Sequence, residues 1–194
     1  MSNTYLYFLS LVIFMSAACS PSRPPLKGET ELEKLNSFYD WSYNQYLNRY
    51  PENLTWYGID RKQDQLNNRS KKYRDQTQAM LKKHLKILKT FDREDLSRED
   101  QLNFDVFKAH LEQEIKEADW QDHIYVVNQM FGTQTELADL MMNLHKVKKE
   151  KDLVNYIARL NQFKTALTEV VNQSMRSETI GVVPPKFVFP LVLS

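Results

Sequence analysis

The sequence predicts an all-α fold, an irregular bundle of about five helices preceded by a signal-peptide helix. Three observations lead to this class. Apolar residues recur at steps of three and four over most of the chain, as expected for amphipathic helices. The chain has only 4 glycines and 7 prolines, too few turn formers for a β-sandwich. Hydroxyl residues also precede several of the periodic segments, where N-caps are needed.

The first predicted helix follows Thr30, which is placed to form a capping box with Glu33. It should end near Tyr50, because Pro51 cannot continue a helix. The polar stretch from Pro51 to Lys72 is predicted to be irregular. The stripe expected to face the core consists of Leu32, Leu35, Tyr39, Tyr43, Tyr46 and Tyr50, with Phe38 and Trp41 on a second face.

A second helix is predicted from about Tyr73 to Phe91 and a third after Ser97, an N-cap with Asp100 in the first turn. The periodicity predicts two inward-facing sets. They are Tyr73, Thr77, Met80, Leu81, Leu85 and Leu88, then Leu102, Phe104, Phe107, Leu111 and Ile115.

Residues 119–132 break the helical period and are predicted to be extended or looped, ending at Gly132. Thr133 and Glu136 are expected to cap a fourth helix. Its inward-facing residues are predicted to be Leu137, Leu140, Met141 and Leu144.

The last and longest predicted helix follows Lys149. Its apolar stripe is expected to be the face on which the other helices pack. This stripe consists of Leu153, Tyr156, Ile157, Leu160, Phe163, Leu167, Val170 and Val171. The apolar tail, residues 179–194, either tucks onto the bundle or indicates a truncated chain, and we favour truncation. Residues 30–194 are therefore interpreted as the truncated N-terminal helical domain of a larger protein.

The N-terminus indicates export. Residues 5–18 form an uncharged apolar run with the length of a signal-peptide core, too short for a membrane span of about 20 residues. Residues 16–19 (Ser-Ala-Ala-Cys) resemble a bacterial lipoprotein processing site, so residues 1–18 are predicted to be a signal peptide. Cleavage would leave Cys19 to carry lipid such as palmitate, with residues 19–29 as a Pro-rich tether.

This interpretation places the protein in the bacterial cell envelope. It would be lipid-anchored to the outer or cytoplasmic membrane, on the periplasmic or extracellular face. Two alternatives remain open at this point: an ordinary cleaved secretory signal, or a retained hydrophobic N-terminus with Cys19 as a free thiol.

Composition and motifs exclude several function classes. With 26 basic and 25 acidic side chains, the chain lacks the charge excess typical of nucleic-acid binding. It contains no P-loop and no G-x-S-x-G motif. None of its 4 histidines is one helical turn from another, and His110 with Glu114 is a pair rather than a site. We therefore assign no catalytic residue, no metal ligand and no cofactor to this chain.

An aromatic cluster between residues 38 and 57 is the candidate ligand site. Trp41, Trp56 and Tyr57 have rings that stack on sugars or peptides. The alternative is that these rings belong to a core of large side chains, which the helical spacing of the neighbouring tyrosines favours.

Three groups of residues, in a fixed order, resemble a known bacterial family. Together they cover most of residues 36–188. They read Tyr50-Pro51-x-x-Leu54-Thr55-x-x-Gly58 with Asp64-x-Leu66, then Leu96-Ser97-x-x-Asp100-Gln101-Leu102-Asn103 with Leu111, then Asp152-Leu153-x-x-Tyr156-Ile157-x-Arg159-Leu160-x-x-Phe163 with Met175-Arg176, Gly181 and Pro184-Pro185-Lys186. On these residues the chain resembles the bacterial domain-of-unknown-function 885 family.

The resemblance implies a mostly α-helical, secreted or lipid-anchored protein that is similar to zinc metallopeptidases of the gluzincin type. Family members are much longer than this chain, and their metal motif, H-E-x-x-P-G-H, is not in this sequence. Zinc and a peptide substrate are therefore expected only for a full-length parent. The final residues, 189–194, also depart from the family's continuing helix, which fits a premature stop or frameshift.

We therefore expect the N-terminal helical segment of a lipid-anchored zinc-peptidase-like protein, without catalytic activity of its own. The alternative is a stand-alone helical lipoprotein of the cell envelope that binds its ligand through the aromatic cluster. Its partners would be a membrane, through the anchor, and in a full-length parent a peptide.

Overall fold

The structure is a computed structural model that describes Pro24 and residues 26–193. The described part is α-helical without a β-strand, which confirms the predicted fold class. The predicted signal peptide, Cys19 and most of the tether lie outside it. The helices are α1 (Glu31–Arg49), α2 (Pro51–Trp56), α3 (Lys71–Leu88), α4 (Arg98–Glu117), α5 (Thr133–Asp139), α6 (Glu150–Thr179) and α7 (Val188–Leu193).

Two predicted helix starts are confirmed in atomic detail. Thr30 Oγ1 accepts a hydrogen bond from the backbone N–H of Glu33, and Glu33 Oε2 accepts one from the N–H of Thr30. Ser97 Oγ accepts from the N–H of Asp100. Each side chain satisfies a backbone donor that the first turn leaves free. The caps therefore fix where α1 and α4 begin.

Two local predictions are wrong. Pro51 does end α1, but it also begins the short helix α2, where an irregular stretch was predicted. Proline suits the first helical position because its missing N–H has no partner there. Thr133 is not a cap, since Gly132 is the N-cap of α5. Gly132 has φ 141°, and a Cβ there would lie 3.0 Å from the carbonyl oxygen of Val126.

The segment before α5, residues 119–132, is predicted to be extended or looped, and only its second half is extended. A 3-10 turn, Ala118–His123, first continues α4. The chain is then extended from Ile124, and an isolated antiparallel bridge joins Val127 to Gly132. A π turn, Leu140–Leu144, extends α5 at its other end.

The first core lies between α1, α3 and α4. Phe38 is fully buried at its centre, whereas Tyr43, which was predicted to face inward, is exposed. The buried face of α1 is thus rotated from the tyrosine stripe toward Phe38. Leu102 of α4 is also exposed, contrary to expectation. The buried members of this core are Leu35, Phe38, Leu81, Leu88, Phe91, Leu96, Phe104 and Leu111.

The long helix α6 differs most from its prediction. Of the expected inward stripe only Val170 is buried, and Tyr156 and Phe163 are half-buried. The helix instead buries a largely polar face, because it packs on the loop between α2 and α3. That loop presents backbone groups, which need polar partners. The exposed members of the predicted stripe are Leu153, Ile157, Leu160, Leu167 and Val171, and the buried face consists of Arg159, Ala166, Val170, Gln173 and Ser177.

A second, smaller core joins the loop to α5 and α6. It is built from Leu66, Leu137, Leu140 and Ala166. Leu137, Leu140 and Met141 are buried as predicted for the fourth helix. No helix in the described ranges is long and apolar enough to cross a bilayer.

Candidate functional site

A polar cleft of about 550 Å³ is the candidate site. It is lined by residues of α2, α3, α4, α5 and α6, together with part of the loop between α2 and α3. Clefts of this volume are large enough for a small ligand or a few residues of a peptide. Three features set its chemistry. They are the ion pair between Glu52 and Arg69, the hydrogen bonds of Arg74 to two other segments, and carboxylates that form no ion pair in the described structure.

The ion pair joins Glu52 to Arg69. Glu52 lies in the first turn of α2, where the helix dipole favours a carboxylate. Arg69 Nη1 and Nη2 donate to the two carboxylate oxygens of Glu52, each across 2.8 Å. Asn67 closes the arrangement, because its N–H donates to Glu52 Oε1 and its Oδ1 accepts from the N–H of Glu52. This bidentate, mostly buried pair fixes the loop at the cleft.

Arg74 of α3 joins two other segments at the cleft, the 3-10 turn and α6. Its Nη2 donates to Asp122 Oδ1 across 3.2 Å, and its Nη1 donates to Gln173 Oε1 across 3.2 Å. Arg176 also donates to Asp122, through Nε to Oδ2. Burial, followed by the nearby positive charge of Arg176, lowers the pKa of Arg74. Both guanidinium groups that line the cleft, Arg69 and Arg74, are therefore engaged within the protein.

The remaining charged groups of the cleft are the carboxylates of Glu114, Glu136 and Asp139. Glu114 and Glu136 form no ion pair with any described residue. Gln78 Oε1 is buried and accepts no hydrogen bond within the described structure. Burial raises the pKa of Tyr50, which also lines the cleft. The cleft is thus suited to a ligand group that donates hydrogen bonds or carries positive charge.

The predicted stacking residues occupy two different surroundings. Trp56 lines the cleft and is 66% exposed, and Tyr57 beside it is also exposed. Trp41 is half-buried and packs against His84, with ring centroids 4.7 Å apart. A ligand role for Trp41, Trp56 and Tyr57 remains a prediction. Cys19, the predicted lipid site, lies outside the described residues.

Arg159 holds the loop that carries the cleft's α2 side. It is fully buried on α6. Its Nε donates to the carbonyl oxygen of Gln65 across 2.9 Å, its Nη2 donates to Thr55 Oγ1 across 2.6 Å, and its Nη1 lies 2.9 Å from His145 Nδ1. Burial lowers the pKa of Arg159 to about 10. In the sequence, Arg159 stands out only as part of a family motif. No local signal indicates that it holds the loop between α2 and α3.

Two of the histidines, His84 and His145, form hydrogen bonds within the protein. Ser42 Oγ and His84 Nδ1 lie 2.7 Å apart in a buried hydrogen bond. Burial lowers the pKa of His84 to about 4, so the ring is neutral. His110 is exposed on α4. Within residues 26–193, no three His, Cys, Asp or Glu side chains are grouped to hold a metal ion.

An apolar groove of about 470 Å³ lies at the C-terminal end of α6, away from the cleft. Val170 and Met175 of α6 form part of one wall, and Val188 of α7 lies on another. Ser177 is 4% exposed at this groove, and its Oγ forms no hydrogen bond with any described residue.

The comparison with protein families decides the membership of the chain. A family model described as a bacterial protein of unknown function (DUF885) matches residues 51–194. The chain belongs to the DUF885 family. The DUF885 match includes Glu52 and Trp56 of the cleft and Arg159 of α6, whereas α1 lies before it. No curated protein matches this DUF885 chain, and no solved structure matches it.

Proposed function

We propose that this DUF885 chain is the N-terminal, non-catalytic helical part of a lipid-anchored, zinc-peptidase-like protein, and that its polar cleft forms one side of the peptide site. The observation that carries the proposal is the acceptor-rich cleft with Trp56 exposed at it. The resemblance of the family to metallopeptidases supports the substrate class. The zinc motif belongs to the parent, and the described residues offer no ligand set for the metal.

The chemistry of the cleft fits a peptide better than an anion. A peptide offers backbone N–H groups and an α-ammonium group, all of which donate. Glu114 and Glu136 are free to accept from these donors, and Gln78 Oε1 is an acceptor without a partner. An anionic ligand would find both cleft arginines, Arg69 and Arg74, already engaged. The exposed indole of Trp56 would add stacking or a cation–π contact.

Peptide titration tests this proposal directly. Short unblocked peptides should quench the tryptophan fluorescence of the chain, and Trp56→Leu should weaken binding at least about tenfold when it is measured by titration calorimetry. Trp120→Leu is the matched control, because Trp120 is also exposed but does not line the cleft. Equal loss in both variants, or no binding by the parent chain, would contradict the proposal.

The link to a larger protein is tested at the gene. The native DNA should be read past codon 194 in all three frames. A frame that resumes and encodes H-E-x-x-P-G-H supports the proposed parent, and its absence contradicts it. Elemental analysis of the purified chain should find no tightly held zinc, and one zinc per chain would overturn the assignment of no metal site here.

The second candidate is a stand-alone helical lipoprotein that binds cell-envelope ligands. The exposure of both Trp56 and Tyr57 favours it, since each exposed ring can stack on a sugar. Glycan fragments of the cell wall distinguish the two candidates. Quenching by neutral glycans but not by peptides would favour the stand-alone lipoprotein over the peptidase-like segment.

A further inference from the structure

The exposed face of α6 carries a heptad pattern. Its apolar positions are separated by alternating steps of four and three residues, with one lysine in the middle. In chain order they are Leu153, Ile157, Leu160, Lys164, Leu167 and Val171. We call these six residues the α6 stripe. Its five apolar side chains are between 40% and 57% exposed.

The stripe is separate from the face that α6 uses within the chain. At 3.6 residues per turn, Arg159 projects about 160° away from Ile157. The polar face is used within the chain, since Arg159, Gln162 and Gln173 all form hydrogen bonds to other segments. Val171 at the end of the stripe also lines the apolar groove near α7, and the other four apolar side chains are 40–49% exposed in the described structure. A contiguous apolar stripe of this length on a surface indicates an interaction site.

The order of residue types in the stripe identifies its partner. In heptad notation Leu153, Leu160 and Leu167 occupy position d, and Ile157 and Val171 occupy position a. Leucine at d with β-branched residues at a is the pattern of parallel two-stranded coiled coils. Lys164 occupies the remaining a position, and a single polar residue there favours two strands and one register. Such a stripe is complementary to a second copy of itself.

We propose that α6 pairs with α6 of a second copy of this chain, in parallel and in register, along the α6 stripe. The pairing is isologous, so each residue of the stripe meets its own counterpart. The flanking e positions, Val154, Asn161, Thr168 and Met175, are uncharged. In-register pairing therefore brings no like charges together except at Lys164.

The fold of the monomer removes the usual weakness of a short coiled coil. The stripe extends over about 27 Å, fewer than three heptads, which is marginal for an isolated helix pair. Here α6 is already held helical by its polar face, so association does not have to fold it. The flexible stem of Lys164 can lie along the apolar seam while its ammonium group reaches water. This proposal is independent of the peptide site.

Sedimentation equilibrium on the full chain carrying Cys19→Ser tests the pairing. We expect a monomer–dimer equilibrium, and Leu160→Lys should raise the dissociation constant at least about tenfold. Lys164→Ile should lower it, because it completes the apolar seam. Leu102→Lys is the control, since Leu102 is 63% exposed on α4 and outside the stripe. At concentrations where the parent is monomeric, all variants should keep its melting temperature, because each site is exposed.

Disulfide formation tests the direction. With Cys19 replaced, Leu160→Cys should give a covalent dimer on oxidation, because d positions face each other in a parallel pair. A chain that stays monomeric at all concentrations would overturn the proposal and leave the stripe for another polypeptide. An unchanged dimer in Leu160→Lys would also overturn it. The parallel arrangement would be overturned if Leu153→Cys and Val171→Cys chains formed a mixed disulfide with each other while neither formed a disulfide with its own kind.

Discussion

Arg159 and His145 form a buried hydrogen bond in which only one assignment of protons is possible. Arg159 Nη1 lies 2.9 Å from His145 Nδ1, and a guanidinium group can only donate. His145 Nδ1 must therefore accept. The proton of the neutral ring lies on Nε2, which is 3.1 Å from the carbonyl oxygen of Asp152 and donates to it. Burial lowers the pKa of His145, and the charge of Arg159 adds to this effect.

Replacing Arg159 by lysine should destabilise the chain by about 2–4 kcal/mol, although the charge is kept. A lysine ammonium group cannot reach His145, Thr55 and the carbonyl of Gln65 at once, so buried acceptors lose their donors. Urea unfolding of Arg159→Lys measures the loss. Arg61→Lys is the matched control, because Arg61 is exposed, and it should change stability by less than about 0.5 kcal/mol. Equal effects in both variants would contradict this role.

Stability should fall as the pH drops from about 6.5 to about 4. His84 has a pKa of about 4 in the folded chain and its ordinary value of 6.5 when unfolded. Between these values the unfolded chain binds a proton that the folded chain does not, so acid favours unfolding. His84 alone contributes about 3 kcal/mol to this loss, and the lowered pKa of His145 acts in the same direction.

The test measures the free energy of unfolding at several pH values. The double variant Ser42→Ala/His84→Leu removes both partners of the buried hydrogen bond and should flatten the slope below pH 6.5. His110→Gln is the control and should keep the slope, because His110 is exposed. A slope unchanged in the double variant would show that His84 is not its source.

Ser177→Ala should leave stability unchanged or raise it by about 1 kcal/mol. Ser177 Oγ is buried at the apolar groove and has no partner in the described structure, so its desolvation is not repaid by a hydrogen bond. Thermal unfolding of the variant measures the change. Ser97→Ala provides the contrast, since loss of that N-cap should cost about 1 kcal/mol. A clear destabilisation by Ser177→Ala would mean that the hydroxyl has a partner in solution.

Cys19→Ser should release the protein from the membrane fraction. The lipid that we propose for the cleaved N-terminus would have no sulfur to attach to. Fractionation of cells and labelling with a palmitate analogue measure the effect. If the wild type is unlabelled, or the variant stays equally membrane-bound, the lipid anchor is wrong.

Local signals predicted the helices and their ends better than their buried faces. The caps at Thr30 and Ser97 depend on residues three apart, so the sequence shows both partners together. The buried face of α6, by contrast, depends on residues that are far away along the chain. Its hydrogen bonds from Arg159 and Gln162 go to loop carbonyls 94 and 98 residues earlier. Helical periodicity within α6 carries no information about these partners. It therefore predicts that the apolar side of α6 faces the interior.

The candidate site was predictable only in its exposed aromatic member. Trp56 stood out as a large ring in a polar stretch, and it does line the cleft. Gln78 and Arg74 come from α3, and Glu114 comes from α4, as ordinary polar residues of amphipathic helices. Only the packing of α3 against α4 brings them together.

The hydrogen bond from Arg159 to a residue far earlier in the chain determines the order in which parts of the structure can fold. The core of α1, α3 and α4 needs nothing beyond Ile115, so it can close early. The loop before α3 must wait for Arg159, 94 residues after its acceptor Gln65. A chain truncated before α6 should therefore be cut by a protease within this loop, while the first three long helices resist.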